Sequence, residues 1–213
     1  VSEQRLAENI FGRRMSPHGL ISVGINVVAD ADWVDVKRKY NLPEEYLLYV
    51  GRIDKGKLNH IVQYFLHYKA RYANSKLKFV LVGGLFSALV SHSDLIYTGF
   101  VSENEKYAII RHAKIMVNPS KFESLSLILL EGMQLGKPML VNGKCEVLKE
   151  HCSKSEKAAL AYWNKNDFIS KLASLETSSE LCREMGKKGK VYVETYYSWS
   201  VIMERLKKAI ESV

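Results

Sequence analysis

Two cations and two carboxylates are the residues of this 213-residue sequence best suited to chemistry. Arg52 and Lys57 lie five positions apart in GRIDKGK, just after the apolar run YLLYV. Gly51 allows a sharp turn at the end of that run. Arginine offers a planar fork of donors and lysine a mobile point charge. Together they suit a diphosphate; a solvated basic loop is the alternative. Glu123 and Glu131 are separated by seven residues within NPSKFESLSLILLE. Pro119 and Ser120 place Glu123 in a loop, and Glu131 falls in the first two turns of the helix that follows. Between them, Ser124, Leu125, Ser126 and Leu127 present backbone N–H groups at a helix start, which attracts anions without side-chain charge. A carboxylate beside such a site can accept hydrogen bonds from sugar hydroxyls. Taken alone, two glutamates at this spacing are a surface coincidence.

Other chemistries find no pattern. The six histidines are scattered, with no HxH or HExxH pair, so no metal site is expected and each reads as a surface or core imidazole. LVGG at 81–84 reads as a tight turn. Neither GxSxG nor Walker A spacing occurs. Cys145, Cys152 and Cys182 cannot all pair within one chain, and no CxxC is present. They read as reduced thiols of a cytosolic protein.

The elements that must position these residues are apolar runs: LISVGI near 20–25, YLLYVG, KFVLVG, LIYTGF, KIMVN and PMLV. They are continuous, not alternating, as in a buried parallel sheet. Helical patterns lie between them: Asn59–Tyr72, Glu103–Ala113 with a Ser102/Glu105 capping box, and Leu125–Leu135 stopped by Gly136 and Pro138. The alternation predicts an α/β, Rossmann-like, doubly wound parallel sheet, whose ligands bind at the carboxyl ends of its strands. The loops after Val50, Val82, Thr98 and Asn118 are therefore where a site belongs. Beyond about residue 165 the chain turns helical. Trp199, Ile202, Met203, Leu206 and Ile210 recur at helical spacing, as a helix packing on a core or, with Arg205, Lys207 and Lys208, one lying on a membrane surface. The expected division is 1–20 as the end of a hinge or preceding helix, 21–195 as the ligand-binding domain and 196–213 as an amphipathic helix packing back.

Apolar residues make up 47% and charged residues 25% of the sequence, an ordinary globular balance. No run approaches roughly 18 apolar residues, so no membrane-spanning helix is expected. The formal net charge of +8 calls for an anionic partner: nucleic acid, lipid or a phosphorylated ligand. A nucleic-acid binder would show a basic stripe interleaved with aromatics. The basic residues are instead dispersed, apart from Lys187, Lys188 and Lys190. The chain opens VSEQRLAENIFGRR without an initiator Met, which suggests a piece of a longer protein.

In one order the sequence presents YVGRIDKGK, YTGFV, NPSKFESLSLILLE and GKPMLVNGKCE. As a set they resemble the C-terminal half of retaining glycosyltransferases of GT-B fold, group 1 or family 4. The likeness runs from about Ser22 to the C-terminal helix. It implies that the domain binds a nucleotide-sugar donor such as a UDP- or GDP-sugar, without metal or other cofactor. Arg52 and Lys57 match the pair that neutralises the departing diphosphate. Glu123 matches the glutamate that contacts the transferred sugar, and Glu131 the one that holds the ribose hydroxyls. The amides of Ser124 to Leu127 match the helix start facing the phosphates, Gly51 the turn before Arg52, and Gly99, Phe100 and Val101 a loop contacting the base. Two departures are Ser126, where the family usually has glycine, and ALAYW at 159–163, where a Gly-Leu pair is common.

The implied reaction transfers a glycosyl group with retention to a glycan or lipid-linked acceptor, as in polysaccharide biosynthesis. The acceptor would be held by a missing N-terminal domain, so this chain alone is expected to bind donor without transferring it. A cytoplasmic location is implied, peripheral to the membrane if the C-terminal helix lies on it. The alternative is a non-catalytic nucleotide-sugar-binding partner subunit of the same fold.

Overall fold

The computed structural model describes residues 2–12, 21–26, 31–87 and 90–211. Six strands form one sheet: β1 (Tyr46–Val50), β2 (Lys78–Val82), β3 (Leu95–Gly99), β4 (Ile115–Asn118), β5 (Met139–Asn142) and β6 (Ala159–Tyr162). Every pairing is parallel, in the order β3-β2-β1-β4-β5-β6. The direction of winding reverses between β1 and β4, which opens a crevice at their carboxyl ends. The doubly wound α/β reading of the sequence is what the chain adopts.

Strand residues alternate between two apolar layers because successive side chains point to opposite faces. Leu48, Val80, Val82, Met116, Met139 and Val141 face one layer; Leu47, Tyr49, Phe79, Leu81, Ile115, Val117 and Leu140 face the other. Helices cover both. On the first side lie α4 (Glu103–His112), α5 (Leu127–Gln134), α6 (Glu146–Lys154) and α8 (Ser179–Tyr197). On the second lie α3 (Lys55–Arg71) and α7 (Lys165–Thr177). The α3 helix buries Leu58, Ile61, Val62, Phe65 and Tyr68, one stripe at helical spacing. Each such side chain contributes roughly 1.5–3 kcal/mol of transfer free energy, so the elements carrying the crevice are firmly seated. The remaining helices are α1 (Ser2–Phe11), α2 (Trp33–Tyr40) and α9 (Trp199–Glu211).

Three sequence expectations change. Residues 21–26 of the run near 20–25 form no strand. Ile25 N–H donates to the Tyr197 carbonyl at 2.8 Å, and Gly24 lies so close to Trp199 that a Cβ there would sit 2.4 Å from its ring. A partner on a helix end, not a neighbouring strand, takes this segment. Conversely β6 is a strand that the apolar runs do not announce: its alanines are weak strand formers, and pairing with β5, Met139 opposite Ala159 to Asn142 opposite Tyr162, decides its conformation. Lys57 sits not on a loop but in the first turn of α3, where its N–H donates to the cap Asp54 at 2.8 Å. Among the described residues no helix is long and apolar enough to cross a membrane.

Candidate active site

Main-chain hydrogen bonds stitch together the carboxyl ends of β1, β2 and β3. Gly51 N–H donates to Val82 O, Ile53 to Gly84 O, Gly83 to Gly99 O and Phe86 to Ile53 O, all at 2.8–2.9 Å. The loops approach so closely that a Cβ on Gly83, whose φ is 137°, would stand 2.1 Å from the Gly51 carbonyl oxygen. They enclose an aromatic cleft of about 500 Å³, bounded by Gly51, Arg52, Gly84, Phe86, Phe100 and Lys106. Val101 and Glu103 also line it. Phe100, 80% exposed, and Phe86, 65% exposed, present their rings at this cleft.

Arg52 belongs to this cleft and also to a second, cationic recess of about 310 Å³ that includes Lys57 and His60. The guanidinium lies 5.9 Å from the Phe86 ring centroid and its Nε is 3.0 Å from Asp54 Oδ2. The Lys57 N–H and the Arg52 guanidinium hold the Asp54 carboxyl below its ordinary range. Lys57 Nζ stands 6.0 Å from the centroid of Tyr49. Burial, then the charges of Asp54 and Glu123, raises the Tyr49 phenol well above its usual range, so both carboxylates are felt at this ring. The Tyr49 hydroxyl donates to the Arg52 carbonyl at 2.9 Å, fixing the turn that carries the arginine.

Across the crevice, Asn118 organises the loop from β4 to α5. Its Nδ2 donates to Glu123 Oε1 at 3.2 Å and to Ser126 Oγ at 2.9 Å, while its Oδ1 accepts the Ser120 N–H at 3.0 Å. Asn142 Nδ2 donates to the Pro119 carbonyl at 3.0 Å. The α5 helix begins at Leu127, two residues later than the periodicity suggests, because Ser126 takes the left-handed conformation, φ 66° and ψ 72°. A non-glycine residue there carries strain of about 1–2 kcal/mol, which explains why glycine suits this position. The bond from Asn118 compensates. With the serine hydroxyl so used, α5 has no side-chain cap. Its first amides, at Leu127 and Ile128, keep the donors and partial positive charge of a helix N-terminus. Ser124 and Leu125 precede the helix.

Glu131 lies one turn further along α5, with its side chain 14% exposed. Lys106 Nζ donates to Oε1 at 3.0 Å, and the Tyr107 hydroxyl shares its one proton between this oxygen, at 3.1 Å, and Glu103 Oε1, at 3.0 Å. Among the described residues no donor reaches Oε2. Burial and the Glu131 charge push the Tyr107 phenol well above its usual range. Both donors come from α4, whose capping box is complete: Ser102 Oγ accepts from Glu105 N–H, and Glu105 accepts from Ser102 N–H. That carboxyl, also bonded to Lys39, is held down to about 2.

Leu125 points its carbonyl away from the crevice, to the buried His151. His151 Nε2 lies 2.9 Å from Leu125 O and Nδ1 lies 2.9 Å from the Tyr192 hydroxyl. A carbonyl only accepts, so Nε2 carries the proton and Nδ1 accepts from Tyr192. Burial lowers the His151 pKa, favouring this neutral form. The loop before α5 is thereby tied to α8.

Of the residues expected from the sequence, Gly51, Arg52, Phe100 and Val101 line the aromatic cleft and Arg52 and Lys57 the cationic recess. Gly99 is bonded to Gly83 of the cleft, Glu131 to its Lys106, and Glu123 and Ser126 to Asn118; Leu127, next after Ser126, begins α5. Ser124 and Leu125 instead border a small recess beside His151. Sequence reasoning missed Gly83, Gly84, Phe86, Lys106, Asn118 and His151. The glycine pair after a strand was the one available signal. Among the described residues no group of three His, Cys, Asp or Glu stands together as a metal site.

Residues 34–192 match the family model described as Glycosyl transferases group 1, well over half of the chain. Sucrose-phosphate synthase from Thermosynechococcus elongatus superposes with a TM-score of 0.74 at 19% identity, covering 99% of this chain and 56% of that one. WaaG, a glycosyltransferase involved in lipopolysaccharide biosynthesis, gives 0.72 at 15%, covering 95% and 59%. The C-terminal domain of the group 1 glycosyl transferase LpcC from Francisella tularensis gives 0.61 at 18%, covering 79% of this chain and 94% of that domain. The chain spans little more than half the length of the first two.

Proposed function

The chain belongs to the group 1 glycosyl transferases, and from that premise we propose that it is the donor-binding half of a retaining enzyme that moves a sugar from a nucleotide sugar to an acceptor. The observation that carries the reading is Arg52, shared between the aromatic cleft and the cationic recess and followed by Lys57. A nucleotide sugar has the matching sequence of parts: a flat base, a polar ribose, a dianionic bridge and a sugar.

In this reading the base lies against Phe100 and the backbone of Gly84. Glu131, oriented through Oε1 by Lys106 and Tyr107, offers Oε2 to the ribose diol. The diphosphate is held between Arg52 with Lys57 and the first amides of α5. Glu123, steadied by Asn118, faces the sugar. As the glycosidic bond breaks, negative charge grows on the leaving diphosphate while the sugar gains oxocarbenium character. Prepositioned cations and amides stabilise that charge without reorganising. Glu123 stabilises the sugar side, and neither a side-chain nucleophile nor a metal is required. The acceptor belongs to a second domain, so these residues alone bind donor without transferring it. The cytoplasmic side of a membrane is the proposed location. The half-exposed Trp199 and Met203 and the exposed Ile210 of α9 are available to that missing domain or to the lipid surface.

A thermal-shift panel of UDP, GDP, ADP and CMP with their sugars tests the reading. A specific ligand at 100 times Kd stabilises by about 2.7 kcal/mol. The expected result is a shift for one nucleotide class and its sugars. No shift with any of them overturns the proposal.

A further inference from the structure

The cationic recess lies beyond the diphosphate clamp, and its lining is more than a clamp requires. Besides Arg52 and Lys57 it includes His60, Ser120, Lys121 and the exposed ring of Phe122. Among the described residues three cations line it and no carboxylate does. Asp54 pairs with Arg52, and Glu123 is bonded to Asn118. Lys144 adds to the field: after burial itself, the charges of Lys121 and Lys144 lower the pKa of His60.

Two polar atoms of this wall, His60 Nε2 and Ser120 Oγ, are buried without a hydrogen-bond partner among the described residues. Ser120 is only 3% exposed. The turn that carries it is fixed from both sides: the Ser120 N–H donates to Asn118 Oδ1, and Asn142 Nδ2 donates to the carbonyl of the preceding Pro119. A buried polar group left unpaired loses its hydrogen bonds to water and gains none in return. A rigid turn that keeps one beside three cations and the unpaired His60 Nε2 is matched to a ligand group that brings both acceptors and negative charge.

On the donor-site reading above, Arg52 and Lys57 are occupied by the diphosphate, while Lys121, His60 and Ser120 are not. Resting on that reading, we infer that the recess seats a second anionic group, a carboxylate or phosphate, carried either by the transferred sugar or by the acceptor. Lys121 supplies the charge, and His60 and Ser120 supply donors that fix its orientation.

Calorimetry on the 213-residue chain tests this in two arms, after the nucleoside diphosphate that binds has been found. The first compares sugar nucleotides differing by a C6 carboxylate: UDP-glucose with UDP-glucuronate, or GDP-mannose with GDP-mannuronate. The second titrates inorganic phosphate and free glucuronate into nucleotide-saturated protein. A donor source predicts that the acidic sugar nucleotide binds at least tenfold tighter than the neutral one. An acceptor source predicts equal donor affinities and a saturable second anion site. In either case Lys121→Ala and Ser120→Ala lower the anion-dependent affinity at least fivefold while bare nucleotide binds unchanged. Ser120→Ala also keeps or raises the melting temperature of the free protein, because it deletes an unpaired hydroxyl; a purely structural serine would not show that combination. Equal donor affinities with no second anion site overturn the inference and leave the donor reading intact. Failure to bind any nucleoside diphosphate removes both.

Discussion

At the ends of β1, β2 and β3 the chain is tied by main-chain hydrogen bonds, whereas at the ends of β4 and β5 it is tied by side chains. Gly51, Gly83, Gly84 and Gly99 let three loops close on one another around the aromatic cleft. Asn118, Asn142 and His151 do the equivalent work for the loop from β4 to α5, and Lys106 for Glu131 on α5, one amide, imidazole or ammonium at a time. Backbone stitching needs the absence of a side chain; polar anchoring needs particular ones. The first end is thus sensitive to any added atom, and the second to the loss of one donor or acceptor.

The largest effect is expected at the stitched end. Gly83→Ala places a methyl 2.1 Å from a backbone oxygen at a positive φ. Neither neighbour can yield without breaking the stitching, so a loss of about 2–4 kcal/mol is expected, with collapse of nucleotide affinity. Denaturant unfolding checks it, and a variant within 0.5 kcal/mol of the parent would mean the loops move freely (on the usual scale for harmless surface changes).

Next come the clamp residues. Arg52→Ala and Lys57→Ala each remove a charge-assisted contact of about 1.5–3 kcal/mol. Nucleoside diphosphate affinity should fall about tenfold or more with the melting temperature nearly constant. Unchanged calorimetric affinity in both would remove the diphosphate from this loop.

The two glutamates should separate. Glu131→Gln keeps the shape but loses charge opposite Lys106; it weakens even a bare nucleotide, since every donor carries ribose. Glu123→Gln spares the bare nucleotide and weakens the sugar nucleotide or slows its turnover. Equal effects on both ligands would show the roles to be exchanged or shared.

A smaller effect is a pH dependence of stability from His151. Its folded pKa is depressed below the ordinary 6.5 by burial. The unfolded state therefore binds more protons between the two values. The contribution is complete above 6.5 and is lost as pH falls through the folded value, with a slope of at most about 1.4 kcal/mol per pH unit. His60 is lowered in the same direction. His151→Gln should flatten the acid limb of the unfolding free energy measured between about pH 5 and 8. An unaltered limb would assign it to other groups.

The smallest effect is expected for Ser126→Gly. It relieves left-handed strain of about 1–2 kcal/mol but deletes the bond from Asn118, worth about 0.5–1.5 kcal/mol. A net change between a loss of about 0.5 and a gain of about 1.5 kcal/mol should follow, read by thermal unfolding, with nucleotide affinity retained.

Local chemistry alone determined much of this protein. Continuous apolar runs announced the core strands of a parallel sheet because both faces of those strands are buried. Ser102 and Glu105 announced the start of α4, since capping is settled within one turn of chain. Arg52, Lys57, Glu123 and Glu131 were legible as candidates because their charges have few other uses at strand ends. Only tertiary structure decided the rest. Residues 21–26 lost their strand to a bond with the end of α8, and β6 gained one from β5. Ser126 is held left-handed by an amide eight residues away, so α5 starts late and uncapped. The aromatic cleft is made from loops brought together across β1, β2 and β3, and its glycines carry no chemical label of their own. His60 and Ser120 became a pair only when α3 and the end of β4 met across one recess. In each case the deciding partner is distant in the chain, and residue type and spacing describe only what lies within a turn or two.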